Sequence, residues 1–237
     1  MFAEDEAELL IAAATDVAQL GQFVDARCGG LPLEHVVGWV DFSGARYRVG
    51  PGVFVPRPRT KSLVAAAIEA AVQDAVIVDL CCGCGAVGAA IAAAVPGATL
   101  FATEIDPVAA QYAGLNLQAV GGTVFVGDLF DPLPPHLRGL IDLVVSVPPY
   151  VPTDALDLLP REARDFEPIR ALDGGYDGLA VARDIVAKAP TWLVPGGTLL
   201  IEVADHQRKA LAAHARGLGL TPTLADGESS LLRMRLG

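Results

Sequence analysis

Basic residues are scarce in this chain. Lys and Arg number 17 against 28 Asp and Glu, giving a net charge of −11 and a pI near 4.7. A protein that grips a phosphate backbone along its length needs clustered cations. Broad nucleic-acid binding is therefore not expected, and only a local basic patch stays open. Cysteine is also sparse. There are four, and Cys81, Cys82 and Cys84 crowd into one turn with no second paired cluster. That spacing does not suit zinc, so no metal is expected and the thiols read as small packed residues. The start "MFAEDEAELL" is acidic, the reverse of a secretory leader. The long uncharged stretch from Cys81 to Thr103 is broken by Gly83, Gly85, Gly88, Pro96 and Gly97, so it resolves into strand end, loop, helix and strand rather than a membrane span. A cytoplasmic protein without membrane contact is the expectation. What is plentiful is apolar: 52% of the 237 residues are hydrophobic and 19% charged, enough for one large core.

Periodicity organises that apolar content. Leu9, Leu10, Ala13, Val17 and Leu20 recur at helical spacing and predict one helix over 4–28. "GWVDFSGARYRVG" alternates around Ser43-Gly44 and predicts a β-hairpin. "GVFVPRPRT" is a proline-stiffened connection, followed by a helix from about Thr60 to Gln73. A rhythm then sets in. "AVIVDLC", "ATLFATE", "GTVFVGD", "LIDLVVSV", "GGTLLIEVA", "LTPTLAD" and "SSLLRMRL" read as strands. Between them, "AVGAAIAAAV", "DPVAAQYAGLNLQAV", "DGLAVARDIVAKAPTWL" and "DHQRKALAAHARGLG" read as helices. Continuous apolar strands alternating with helices predict an α/β fold: a Rossmann-like, doubly wound, mainly parallel seven-stranded sheet. The expected division is 1–55, a short N-terminal helix plus hairpin, and 56–237, the sheet domain.

In such a sheet, ligands bind beyond the carboxyl ends of the strands. "VDLCCGCGAVG" occupies the first of these ends. Asp79 closes the strand; Gly83 and Gly85 allow tight turns and close approach of a ligand; Gly88 lets the next helix pack closely. A glycine-rich turn alone is a weak signal, because dinucleotide-binding folds share it. The following strand ends in Glu104, placed to accept ribose hydroxyls, and the third ends in "GDLF", bringing Asp128 to the same rim. An adenosine-type ligand fits that arrangement.

These motifs resemble those of class I S-adenosylmethionine-dependent methyltransferases. More narrowly, "GLPLEHVVGWVDFSG", "FVPRPRT", "SVPPY", "FEP" and "ALDGGYDGL" resemble the HemK/PrmC family of protein-glutamine N5-methyltransferases. The resemblance runs from about Gly30 to Glu202. It implies S-adenosylmethionine as the cofactor, held by Asp79, Cys81, Gly83, Gly85, Glu104, Ile105, Asp128, Leu129 and Ser146, with Arg57 and Thr60 beside them. It implies acceptor binding by Pro56, Pro148, Tyr150 and Glu167, and a catalytic turn made of Val147, Pro148, Pro149 and Tyr150. Two features depart from the family. Lys61 stands where an acidic residue is usual, and only about 28 residues precede "CGGLP", where family members that modify release factors carry a longer helical segment for docking.

A third departure lies in the catalytic turn. The family signature there is Asn-Pro-Pro-Tyr, whose Asn side chain and following Pro carbonyl accept the two N–H bonds of the substrate amide. Valine accepts nothing. Glutamine methylation could persist if Ser146 or Glu167 took over. An acceptor needing less help, such as a small amine, would find an apolar wall useful. A third alternative is a cofactor-binding partner protein that has lost turnover. Protein and small-molecule acceptors both stay open, as does the oligomeric state. His35, His136, His206 and His214 are scattered and read as surface or capping residues. Glu167, Asp173, Arg161, Arg164 and Arg170 border a long variable loop, either touching substrate or pairing among themselves.

Overall fold

The strands "VIVDL" and "LIDLVVS" are apolar on both faces because both faces are covered. The computed structural model describes residues 3–224 and 230–237. Its large sheet holds β3 (Val76–Leu80), β4 (Thr99–Glu104), β5 (Thr123–Val126), β6 (Ile141–Ser146), β7 (Leu193–Glu202), β8 (Leu220–Leu224) and β9 (Leu231–Leu236). The order is β5-β4-β3-β6-β7-β9-β8; β9 runs antiparallel to both neighbours and the remaining pairs are parallel. The expected doubly wound, mainly parallel seven-stranded sheet is present. The last expected residues of "LTPTLAD", Ala225 and Asp226, lie outside the described residues.

Alternation along each strand splits the core in two. Ile77, Leu143, Val145 and Leu200 face α4 (Lys61–Ala70), α5 (Ala86–Ala94) and α6 (Pro107–Leu117). Val78, Val144, Leu199 and Ile201 face α8 (Ala180–Trp192) and α9 (Arg208–Arg216). The chain winds outward from β3 to β5, then restarts on the other side with β6. The gap between β3 and β6 is thus the topological switch point, where the connections diverge and leave a crevice.

The N-terminal part differs from expectation. Two helices replace one: α1 (Ala3–Ala13) and α2 (Val17–Cys28), followed by a short α3 (Leu33–Val37). Asp16 breaks the run, its carboxylate accepting the Gln19 N–H at 2.8 Å as an N-cap. The hairpin is as expected, β1 (Trp39–Phe42) against β2 (Ala45–Arg48). Ser43 and Gly44 both have positive φ, the signature of a two-residue turn matched to strand twist. Val40, Phe42 and Tyr47 join the same core as α4–α6. His35 is buried rather than superficial, its Nε2 2.8 Å from the Val53 carbonyl, and burial lowers its pKa. Among the described residues, no helix is long and apolar enough to cross a membrane.

Candidate active site

The glycine turn is built by backbone angles that side chains rarely permit. After β3, Cys81, Gly83 and Gly85 all take positive φ, at 55°, 56° and 79°. A Cβ on Gly83 would meet nothing within 4 Å, so that glycine keeps a wall open. A Cβ on Gly85 would press on Ala113 at 3.2 Å, so that glycine serves helix packing. Asp79 is buried, and its Oδ2 accepts the Gly88 N–H at 2.9 Å at the start of α5. Burial pushes its carboxyl up to about 7; the Gly88 N–H pulls the other way and Glu104 adds repulsion.

That shift has a sign that can be tested. Between its usual range and about 7, the unfolded chain has released the proton and the folded chain has not. This group therefore weakens folding as pH rises across that window. A cation arriving beside the carboxylate reverses the preference and expels the proton. A cationic ligand bound beside Asp79 is expected to release protons near pH 6.5 and to bind more tightly as pH rises toward about 7. Calorimetry in two buffers of different ionisation heat measures the release; identical heats would count against it.

Glu104 locks the neighbouring strand end. Its Oε2 accepts the Gly83 N–H at 2.8 Å and its Oε1 the Asp106 N–H at 2.9 Å, joining the turns after β3 and β4. Burial holds this carboxyl above its usual range, against those two backbone donors. Asp106 in turn caps α6 through the Val108 N–H. Asp79, Cys81, Gly83, Glu104, Ile105, Asp128 and Leu129 all line one cavity of about 600 Å³, and Pro56, Arg57, Thr60, Val147, Pro148, Pro149 and Tyr150 line it too. That volume suits a ligand of nucleoside size with room for an acceptor.

Three expected residues do not line it. Gly85 is spent on packing against α6. Ser146 is fully buried and donates its Oγ hydrogen to the Leu80 carbonyl at 2.8 Å, tying β6 to β3. Glu167 is filled: its Oε1 accepts the Val55 N–H at 3.1 Å and its Oε2 accepts Arg57. It holds the proline-rich connection in place.

The Pro148-Pro149-Tyr150 turn is backed by the two other motifs. Val151 donates to the Leu172 carbonyl at 2.9 Å, and Gly174 donates to the Val151 carbonyl at 2.8 Å. A Cβ on Gly174 would sit 2.7 Å from the Pro149 carbonyl oxygen, and one on Gly178 would fall on that of Tyr150. The glycines of "ALDGGYDGL" are there so that one backbone can lie against another. From the other side, Arg59 lies over the Tyr150 ring, 5.3 Å from its centroid, and bonds Glu202 Oε1 at 3.0 Å. Sequence reasoning missed Glu202, Gln207 and Asp106. Arg170, expected either to touch substrate or to pair within its loop, lines the cavity with Nε 3.9 Å from Asp106 Oδ2. The long loop also contains a helix, α7 (Arg161–Phe166), that its prolines concealed.

Fold and site together define a class I S-adenosylmethionine-dependent methyltransferase. The fold matches the T. thermophilus 16S rRNA N2 G1207 methyltransferase in complex with AdoMet and guanosine, with a TM-score of 0.60 at 20% identity over 84% of this chain and 50% of that one. A family model, the methyltransferase small domain, matches residues 51–159. The Mycolicibacterium smegmatis release factor glutamine methyltransferase is 44% identical over 80% of this chain and 67% of its own length. The Geobacter sulfurreducens enzyme of the same name is 36% identical over 87% and 78%. A 4-amino-L-phenylalanine/4-methylamino-L-phenylalanine methyltransferase of Streptomyces pristinaespiralis is 35% identical over 86% and 74%. The chain belongs to the release factor glutamine methyltransferase (HemK/PrmC) family. It is an S-adenosylmethionine-dependent N-methyltransferase related to the protein-glutamine enzymes.

Proposed function

We propose that the chain methylates the side-chain amide of a glutamine in a protein acceptor. One observation carries this: the Pro148-Pro149-Tyr150 turn and the Glu104–Asp128 rim border the same cavity. Two successive prolines bring no N–H, so that stretch of backbone offers carbonyls and suits a group that donates, such as an NH₂. The names of relatives at 36–44% identity support the glutamine acceptor. Asp79, Gly83, Glu104 and Asp128 would hold the cofactor, which when bound supplies an electrophilic methyl group. The turn's work is to orient the nitrogen in line with that methyl.

Val147 leaves this orientation one acceptor short. The two residues expected to take its place, Ser146 and Glu167, are engaged elsewhere. The chain contains a single asparagine, Asn116, whose side chain is bound to Arg48 and Cys84. An unpaired buried N–H costs roughly 1–3 kcal/mol, about one to two orders of magnitude in rate. Val147→Asn is therefore expected to raise amide methylation about 10- to 100-fold. Transfer of labelled methyl to a glutamine-containing protein or peptide measures it.

The same valine favours a second acceptor class, an amine. An amine lone pair is not delocalised into a carbonyl, so one main-chain carbonyl suffices to orient it. The likeness to the 4-amino-L-phenylalanine enzyme points the same way. With 4-amino-L-phenylalanine as acceptor, Val147→Asn should slow transfer. No gain on amides together with turnover of the amine would replace the first acceptor by the second.

A further inference from the structure

Behind the catalytic turn, and outside the cavity wall, stand two buried polar residues that the chemistry above does not use. Glu202 ends β7 with its side chain 2% exposed. Its Oε1 accepts Arg59 Nε at 3.0 Å, and Arg59 lies over the Tyr150 ring. Gln207 is also buried. Its Nε2 donates both to the Tyr150 carbonyl at 2.9 Å and to the Asp177 carbonyl at 3.0 Å, while its Oε1 accepts the Ala204 N–H at 2.9 Å. Every strong donor and acceptor of that amide is thus spent on backbone. Tyr150 is held at two places, at its ring by Arg59 anchored on the end of β7 and at its carbonyl by Gln207 just beyond it.

We propose that Glu202 and Gln207 are positioning residues for the acceptor: Glu202 sets the Tyr150 ring through Arg59, and Gln207 sets the Tyr150 carbonyl and the adjoining glycine loop together. Three features support this beyond simple burial. The Arg59 guanidinium is within the distance at which a cation is attracted to an aromatic face. The buried Glu202 carboxylate gives Arg59 one charge-assisted hydrogen bond that holds it beside the ring. And the Gln207 amide bridges Tyr150 and Asp177, adding side-chain bonds to the Val151–Leu172 and Gly174–Val151 backbone bonds that already join these two segments. Gln207 acts on the turn through the Tyr150 carbonyl, Glu202 through Arg59 and the Thr60 side chain, and neither bonds the turn after β3, so the larger effect falls on acceptor orientation rather than cofactor affinity.

This rests on the acceptor lying against the Pro-Pro-Tyr turn, and the test separates the two. Glu202→Gln keeps size and removes the charge that strengthens the bond to Arg59, and Gln207→Met keeps size and removes the amide's bonds. Cofactor affinity by calorimetry is expected to stay within about twofold, while kcat/KM for the acceptor falls about 10- to 100-fold. In a Tyr150→Leu background, Glu202→Gln is expected to add almost nothing, because it acts through the ring that is gone. With ¹³C-labelled tyrosine, the Tyr150 ring signal is expected to shift or broaden in both variants while those of Tyr47, Tyr112 and Tyr176 stay. Unchanged Tyr150 signals, or an undiminished loss in the Tyr150→Leu background, would overturn the proposal. If the parent protein transfers methyl to neither a glutamine peptide nor 4-amino-L-phenylalanine, the acceptor assignment falls, and the tyrosine spectra alone still decide the positioning.

Discussion

Glu104→Ala is expected to weaken S-adenosylmethionine binding at least 100-fold. The carboxylate does two jobs at once. It is the rim group that ribose hydroxyls would reach, and it already accepts the Gly83 and Asp106 N–H groups. Hydrogen bonds to a charged group contribute roughly 1.5–3 kcal/mol each, and a buried donor left unpaired costs a similar amount. Losing two such bonds slackens the turn after β3 before any ligand arrives. Glu104→Gln keeps one acceptor oxygen and should lose less, about tenfold. Calorimetry on the three proteins orders them as parent, Gln, Ala. Equal affinities would remove the nucleoside from this rim.

Gly178→Ala should silence methyl transfer while sparing the cofactor. Gly178 has φ 72°, and a Cβ there would land on the Tyr150 carbonyl and the Gln207 amide. No rotamer relieves a collision between backbone and backbone. The turn must move, and displacement of about 1 Å at a reacting centre costs on the order of 100-fold in rate. Gly139 supplies the control. Its φ is 70°, but a Cβ would meet nothing within 4 Å. Gly139→Ala should therefore cost only the left-handed backbone penalty, about 1–2 kcal/mol in thermal unfolding, with activity retained. Equal losses in both variants would mean that strain alone, and not the contact with Tyr150, was being measured.

What the chain revealed in advance followed the range of the forces involved. The sheet was legible because buried parallel strands must be mostly apolar, and "VIVDL" and "LIDLVVS" are so apart from Asp79, Asp142 and Ser146. Glu104 was legible because it closes a strand of that pattern, and Asp128 because it follows the end of the next one by two residues. The break at Asp16 was hidden under apolar spacing that ran on from Leu9 to Leu20, although Thr15-Asp16 is itself a capping signal. Glu167 was placed in the acceptor site from a motif, yet its partners, Val55 and Arg57, lie 112 and 110 residues away. No local pattern announces which distant group will consume a carboxylate. The same distance concealed Glu202, paired with a residue 143 positions earlier. The glycines of "ALDGGYDGL" were visible as a motif, but their reason is a meeting of two backbones that only the folded chain displays.

The hairpin has a consequence for how this enzyme could be cut or recombined. Asn116 bonds both the N–H and the carbonyl of Arg48 and the carbonyl of Cys84, and Gly50 leaves just enough space for the Tyr112 hydroxyl. Val40, Phe42, Val49 and Val53 fill the same interior as α4–α6. A fragment starting at residue 56 would bare that apolar wall to water, and is expected to aggregate rather than fold. Chimaeras that exchange the leading portion between relatives should survive only when the residues across the seam travel with it.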